Sequence, residues 1–409
     1  MFERVTATGA RRHLPRVAIL VIVFLLIAVP FYVEAFWLQM GLFVFAAAIG
    51  AIGLNLLTGS TGQLSLAHAF FLAVGAYGYA YFSGSKTQIG GGVEVGGLEL
   101  PALLAAVLAV ALAGFAGLLF SPIASRLRGI YLGVASLSLV FIGQHILLNA
   151  QSVTGGFYGR NTAPFSLFGF SFTNEHPPLT VLNIDFGQRE RLWYLGLGLL
   201  ILCYLFAINL LRGRPGRALQ TIRDSEIAAA TMGVNVRAYK AAAFVMSSMY
   251  AGLAGVLVAL AFQRPVPDYF SLSLSITYLA MIVIGGLGSV RGAVVGAAFV
   301  TALPQILTHY SSSLTFLAQP GESGVGAAEF ANYSYGAAIV LVILVAPGGL
   351  AGVLSGRSGR AARARASVSG EPPGSTVTGP ASPEGDSRQQ HGPTGATSSV
   401  TRNKEAEHQ

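Results

Sequence analysis

Charge is what this sequence has least of: Asp, Glu, Lys and Arg make up 10% of its 409 residues, against 53% hydrophobic ones, where a soluble domain carries roughly a quarter charged residues. That shortage excludes a water-soluble globular protein. Cysteine is nearly absent too. The single Cys203 excludes a disulfide framework and a cluster of thiolate metal ligands, and reads as a small lipid-facing or packed residue. Acids are the rarer sign, 17 against 25 Lys and Arg. The net charge of +8 rests on too few basic residues, in too apolar a chain, to make a nucleic-acid-binding surface. It must be explained by location. Glycine is abundant at 51 positions, but without a G-X-Y period and mostly within apolar runs, which fits closely packed membrane helices.

A charge at the bilayer centre is expensive and a spanning helix needs roughly 20 apolar residues, so spans can be counted between charges. The long charge-free stretches are 17–33, 35–85, 100–125, 129–159, 192–211, 241–263, 269–290, 292–321 and 330–356. The second is too long for one helix and is broken at Thr58-Gly59-Ser60-Thr61-Gly62, a run of turn formers. The expectation is an all-α, polytopic integral membrane protein with about ten transmembrane helices (8–10) between residues 17 and 354. The Arg11, Arg12 and Arg16 start resembles a secretory signal, but no small-residue cleavage pattern follows Val29-Pro30, so the first run is kept as a helix.

Ten spans can be tested against the loops, because Lys and Arg gather on the cytoplasmic side. With the N-terminus inside, the inner segments hold Arg4, Arg11, Arg12, Arg16, Arg126, Arg128, Arg212, Arg214, Arg217, Arg223, Arg237, Lys240 and Arg291. The outer ones hold only Lys86, Arg160, Arg189, Arg191 and Arg264, beside the acids Glu34, Glu94, Glu99, Glu175, Asp185, Glu190, Asp268, Glu322 and Glu329. The expected topology is N-in and C-in, with a basic cytoplasmic N-terminus at 1–16. Trp37, Tyr81, Trp193 and Tyr335 fall near helix ends, as interfacial anchors do.

Three segments are not bilayer. Residues 355–409 are Gly, Ala, Ser, Pro and Thr with mixed charge, a composition that cannot bury a core, so they read as a disordered cytoplasmic tail; its Arg357, Arg360, Arg363 and Arg365 would lie against anionic headgroups. Residues 150–191 form a long external segment whose aromatic residues favour an ordered, lid-like or docking element. Residues 212–240 form the most polar stretch before the tail. Arg217–Arg223 has helical propensity, Asp224-Ser225 offers an N-cap, and Glu226–Met232 is a strong helix former ending at Gly233. This loop is either a solvated connector or a docking helix for a cytoplasmic partner.

No catalytic constellation is present. Ser83-Gly84-Ser85-Lys86-Thr87 lacks the glycines of a phosphate-binding loop. His68, His145 and His309 are scattered along the spans, which gives no metal site. What the spans contain is interruption. Asn55, Gly59, Gly62, Gln63, Ser65 and His68 gather hydrogen-bonding groups and flexible backbone between two apolar helices. Broken helix at membrane depth persists only where protein or a water-filled cavity satisfies it. The break is thus either a pathway lining or a tight turn, and His68 is either functional or a neutral packing residue. A second break, Gly285-Gly286-Leu287-Gly288-Ser289, reads first as a tight turn.

Gly53-Leu54-Asn55-Leu56-Leu57-Thr58-Gly59 with Gly62-Gln63-Leu64-Ser65-Leu66-Ala67-His68-Ala69 and Gly75-Ala76-Tyr77 resembles the signature of the branched-chain amino acid ABC importer permeases, the LivH/LivM family. Further segments resemble its LivM side in the same order: Arg128-Gly129-Ile130-Tyr131, Thr154-Gly155-Gly156, Gly216-Arg217-Ala218-Leu219 leading into Ile222–Ala229, Met232–Asn235, Gly285–Ser289 and Pro347-Gly348-Gly349-Leu350. The resemblance implies a bacterial inner-membrane permease subunit that binds no cofactor and performs no catalysis. Its partners would be a homologous permease, two cytoplasmic ATPases that use ATP-Mg, and an extracytoplasmic solute-binding protein. It further implies that 212–240 is the coupling loop, with Arg223, Asp224, Glu226, Ala228, Ala229 and Gly233 towards the ATPase, although Ile227 stands where the general coupling motif has Glu. Asn55, Gly59, Gly62, Gln63, Ser65, His68 and Tyr77 become the candidate substrate pathway. The family default is leucine, isoleucine or valine; relatives carry urea, short amides or other amino acids. The rival class is a stand-alone ion- or proton-coupled secondary transporter, which usually carries acidic residues inside its spans.

Overall fold

The computed structural model of the chain describes residues 21, 23–89, 92–127, 129–167, 170–172, 179–181, 184–311, 327–345 and 349–354. The basic segment 1–16, the tail 355–409, Arg128, Glu175, Glu322, Pro347 and Gly348 lie outside the described residues.

Apolar runs surrounded by lipid must satisfy every backbone N–H and C=O internally, which makes helix the default. In chain order the helices are α1 (Ala35–Leu54), α2 (His68–Ser83), α3 (Ala102–Arg126), α4 (Ile130–Asn149), α5 (Gln188–Arg212), α6 (Arg214–Asp224), α7 (Glu226–Thr231), α8 (Val236–Phe262), α9 (Leu272–Gly285), α10 (Val290–Ser311), α11 (Ala327–Val345) and α12 (Gly349–Leu354). Residues 23–28 are helical as well. Each of the ten apolar segments expected from the charges therefore contains helix. Among the described residues six are long and apolar enough to cross a membrane: Ala35–Gly59, Ala102–Arg126, Ile130–Asn149, Gln188–Arg212, Val236–Phe262 and Val290–Tyr310. The chain is a multi-pass, all-α membrane protein. The 16 residues of α2 rise only about 24 Å, less than the roughly 30 Å of a hydrocarbon core, and the six non-helical residues 62–67 ahead of it supply further reach.

The bundle is built around α1 and α8, which are buried over most of their length, whereas α3, α4, α5 and α10 bury less than half of theirs. α8 packs along α1, α2 and α3; α1 also packs along α5 and α10, and α9 lies on α10. The outward residues of the peripheral helices, such as Leu112, Phe115, Leu119, Leu202 and Phe206, are exposed apolar groups, a pattern solvated by lipid and not by water. Small residues set the closest seam. A Cβ on Gly75 would overlap the Gly252 backbone, and one on Gly255 would overlap the Leu72 carbonyl, so α2 and α8 touch backbone to backbone, as packing within lipid favours.

Of the two readings of Cys203, lipid-facing or packed, the packed one holds, and Trp193, expected as an interfacial anchor, is packed inside as well. Cys203 is buried and its carbonyl accepts from Tyr250 Oη at 2.8 Å. Trp193 is buried against Phe45 with ring centroids 4.8 Å apart. Its indole N–H donates to the Leu26 carbonyl at 2.9 Å, and Tyr194 Oη donates to Ile27 O at 2.9 Å. Together they fasten the first apolar segment to α5.

The 27 residues of α8 rise about 40 Å and have different loops at their two ends. At its start lie α6, α7 and both glycine-rich breaks. At its end lie Gln263–Val266 and the segment that follows Ala150. Part of that segment is ordered: a helical turn at Gln151–Thr154 leads to the antiparallel pairs β3 (Ser166–Leu167) with β4 (Phe170–Ser171) and β5 (Leu179–Val181) with β6 (Ile184–Phe186), after the earlier pair β1 (Thr87–Ile89) with β2 (Val93–Val95). Arg160 organises this end. It is buried, donates from Nη1 to Val153 O at 2.9 Å and stands over the Tyr81 ring at 5.4 Å. Its backbone N–H and that of Thr162 donate to Pro265 O and Gln263 O at 3.4 and 2.7 Å. Burial pushes the Arg160 guanidinium below its ordinary pKa, partly offset by Tyr81.

Candidate functional site

The helix that begins as α1 does not stop at Leu54. It widens into a π-helical turn at Asn55–Gly59, a rare form that is frequent at functional sites. Thr61 Oγ1 donates to Leu57 O at 2.7 Å and the Gly62 N–H to Thr58 O at 3.1 Å. Gly62 then turns the chain at φ +71°, a conformation suited to glycine, and residues 62–67 run without regular structure.

The backbone freed there is satisfied by hydroxyls from distant helices. The Leu66 N–H donates to Ser136 Oγ on α4 at 2.8 Å, and that hydroxyl donates to Gly133 O at 2.8 Å. The Ala69 N–H donates to Ser275 Oγ on α9 at 2.9 Å, and the Ala67 N–H to Ser65 Oγ at 3.4 Å. Ser65 is thus a backbone cap. Helix α2 starts with borrowed caps because Ala67, its own N-cap residue, has no side-chain oxygen.

Several side chains of the break stay unpaired. His68 is buried, hydrogen-bonds the Gly50 backbone and lies against the Tyr278 ring with centroids 4.7 Å apart. Its Nε2, both amide atoms of Gln63, Asn55 Nδ2 and Thr58 Oγ1 are buried without a hydrogen-bond partner. Unpaired buried polar atoms cost roughly 1–3 kcal/mol each, so several of them within residues 55–68 call for an explanation. Tyr278 also lines a 390 Å³ cavity with Phe43, Val258, Tyr269, Thr277 and Thr301, a volume within the range of small-molecule sites. Thr301 Oγ1 is a further unpaired atom. Tyr77 stands apart from this group. It is nine residues along α2 from His68, about 13 Å, and donates from Oη to Pro265 O at 3.1 Å at the Arg160 end.

The two breaks meet. Asn55 Oδ1 accepts from the Gly288 N–H at 2.8 Å. A Cβ on Gly59 would come within 2.6 Å of Gly288 N, so the two backbones are in direct contact. The second break is the expected tight turn, with Gly286 and Gly288 at φ +111° and +82° and the Ser289 N–H donating to Gly286 O at 3.2 Å. It is also a partner of the first. Arg223, the penultimate residue of α6, closes the group by donating from Nη1 to Gly59 O at 2.6 Å. Asn55, Gly59 and Gly62 therefore belong with Arg223 and Gly288, whereas Gln63, Ser65 and His68 form a separate group around α2's start.

The polar loop folds as its composition suggests. Pro215 opens α6 in the first turn, where its missing N–H costs nothing. Ser225 caps α7, its Oγ accepting from the Ala228 N–H at 3.2 Å. Gly233 at φ +80° ends it, with the Gly233 and Val234 N–H groups donating to Ala230 O and Ala229 O at 3.0 Å, the paired bonds of a glycine-terminated helix. Asn235 Oδ1 then caps α8 by accepting from Ala238 N–H at 3.1 Å. Glu226 pairs with Lys240, which is buried at the foot of α8.

The orientation of the loop was not readable from its spacing. Ala229 is fully buried and faces the bundle; Glu226 is partly buried, and Arg223, although exposed, makes one inward contact. Outward stand Asp224, Gly233 and two large apolar side chains, Ile227 and Met232, exposed by 75% and 74%; Ala228 is half-buried. Ile227 and Met232 carried a signal, as apolar residues in a polar loop. Lys240 reads in the sequence as one basic residue among many and Gly288 as part of a tight turn, while Ser136, Ser275 and Tyr278 give no sign of their roles.

Comparison with known proteins fits this architecture. The family model for the branched-chain amino acid transport system permease component matches residues 36–346. The chain is 31% identical over 322 residues to the high-affinity branched-chain amino acid transport system permease protein LivM of Escherichia coli K12, covering 75% of this chain and 71% of the relative. It is 32% identical over 296 residues to LivM of Salmonella typhimurium LT2, covering 70% and 67%, and 25% identical over 309 residues to LivH of E. coli K12, covering 75% and 91%. No solved structure matches the chain. The chain belongs to the family of branched-chain amino acid transport system permease components.

Proposed function

We propose that this chain is the membrane-spanning subunit of an ATP-driven importer for branched-chain amino acids in the bacterial inner membrane, with α6 and α7 on the cytoplasmic side. It works beside a homologous permease, two ATPase subunits that bind and hydrolyse ATP-Mg, and an extracytoplasmic binding protein. The observation that carries this reading is the loop 212–240: it is held to the spans through Ala229, Arg223 and the Glu226–Lys240 pair, while Ile227 and Met232 face outward. Apolar side chains held on a fixed polar platform suit insertion into an apolar socket of another protein. Gly233 and Ala228 beside them leave room for close approach.

The solute route runs from the Arg160 end, along the cavity behind Tyr278, past His68 and Gln63. The unpaired groups there supply hydrogen bonds to a polar solute, and the largely apolar cavity wall accommodates an aliphatic side chain. A coupled secondary transporter is disfavoured, because the acids on described helices sit in terminal turns, as Glu190, Glu226 and Glu329 do, leaving the span interiors without a carboxylate for a coupling ion.

The test is purification of the subunit from its native membrane in mild detergent. The expected result is co-purification with two ATPases whose hydrolysis is stimulated by binding protein loaded with leucine, isoleucine or valine; recovery of the chain alone with full, ATP-independent transport would overturn the reading. Within the assembled complex, Gln63→Leu together with His68→Phe is expected to lower solute uptake at least tenfold, since two hydrogen-bonding groups worth about 1 kcal/mol each are removed from the route. Uptake at the wild-type rate would remove this break from the pathway.

A further inference from the structure

The coupling loop touches the spans through links of very different reach. Its ends continue into α5 and α8. The Glu226–Lys240 pair returns to the foot of α8. Arg223 reaches farther along the chain, from the end of α6 to a carbonyl 164 residues earlier. That carbonyl belongs to Gly59, the last residue of the π-helical turn, and Gly59 lies on the backbone of Gly288 in the turn between α9 and α10. Asn55 Oδ1 holds the same Gly288 N–H. One guanidinium therefore sits on a node at which α1, α9 and α10 meet.

This node has little give. Neither glycine has a side chain that could yield, and an added Cβ on Gly288 would stand 3.0 Å from Arg223 Nη1. A cation donating to a carbonyl at 2.6 Å is among the stronger hydrogen bonds available. Beyond Gly59, only residues 60–67 separate the node from His68 and α2. A displacement of α6 would thus bear directly on the ends of α1 and α9, and through residues 60–67 on the break carrying Gln63 and His68.

We propose that Arg223 is a positioning residue that transmits movement of the coupling loop to both helix breaks, so that ATPase closure reshapes the solute route. This rests on the docking of α7 to an ATPase, and it gives Arg223, whose side chain is exposed apart from its bond to Gly59, a role beyond that surface.

The experiment uses the whole importer in proteoliposomes and reads solute taken up per ATP hydrolysed, alongside recovery of the ATPases with the permease. Arg223→Gln is expected to keep the ATPases and to lower the uptake-to-hydrolysis ratio at least tenfold. Arg223→Lys retains a donor to Gly59 and is expected to fall between Arg223→Gln and wild type. Gly288→Ala, which leaves the loop itself untouched, is expected to reproduce the low ratio by crowding the guanidinium at a positive φ. A residue that only supports folding would lower both quantities together and leave the ratio unchanged. An unchanged ratio in Arg223→Gln and Gly288→Ala overturns the proposal, as does loss of the ATPases from Arg223→Gln, which would make Arg223 a docking contact. Absence of ATPases from the wild-type protein would instead overturn the docking of α7.

Discussion

Glu226→Arg is expected to abolish coupled uptake. Lys240 is almost completely buried and Glu226, itself only partly exposed, is its ion-pair partner. Reversing the charge leaves a buried ammonium facing a guanidinium. Removing one partner of a buried pair costs about 3 kcal/mol or more, because the remaining charge stays desolvated without compensation. The strain falls on a six-residue helix that holds few contacts of its own, so α7 swings off α8 while the spans, whose packing lies elsewhere, remain assembled. Uptake in the reconstituted importer is expected to fall by two orders of magnitude or more, with the permease still recovered in the membrane. The paired reversal, Glu226→Lys with Lys240→Glu, restores opposite charges and is expected to recover part of the loss. Wild-type uptake by Glu226→Arg would show that the pair does not hold the coupling helix.

The second large effect concerns the outward face of the same helix. Ile227→Asp combined with Met232→Asp is expected to strip the ATPases from the purified permease. Each side chain stands mostly exposed in the isolated chain, and fully burying such a residue contributes roughly 1.5–3 kcal/mol. Losing both contributions weakens association about 100-fold or more, before counting the cost of desolvating two carboxylates. Ile227→Leu keeps the apolar volume and is expected to purify with its ATPases. Co-purification undiminished by the double aspartate variant would move the docking surface away from α7. The two variants separate cause by location: Glu226→Arg acts between loop and spans, whereas the aspartates act between loop and partner.

Both results depend on a feature that the loop's composition concealed. Ser225, Glu226 and Gly233 announce a short capped helix, and such a helix forms. A three-alanine run, Ala228–Ala230, reads equally well as a face for a partner or as a face for the bundle, since alanine packs closely against either. Ala229 turned inward, and that rotation put Ile227 and Met232 outside. The candidate pathway divided for a similar reason. Asn55, Gly59, Gln63 and His68 are neighbours in sequence, but a helix that widens at Asn55 and a chain that turns at Gly62 send Gly59 to Arg223 and Asn55 to Gly288 while Gln63 and His68 stay with the start of α2.

By itself the sequence determined the apolar segments that become helices, the positions of both breaks and the caps of α7. Each of these follows from free energies local to a segment: the cost of charge in hydrocarbon, the orphan groups at helix ends and the turn conformations open to glycine. Only the tertiary structure decided which segments meet. Asn55 finds Gly288 across 233 residues, Leu66 finds Ser136 across 70 and Ala69 finds Ser275 across 206. A glycine or serine within an apolar run has the same hydropathy whether it faces lipid or another helix. The difference lies in close backbone approach and in hydrogen bonds that exist only once the bundle is packed.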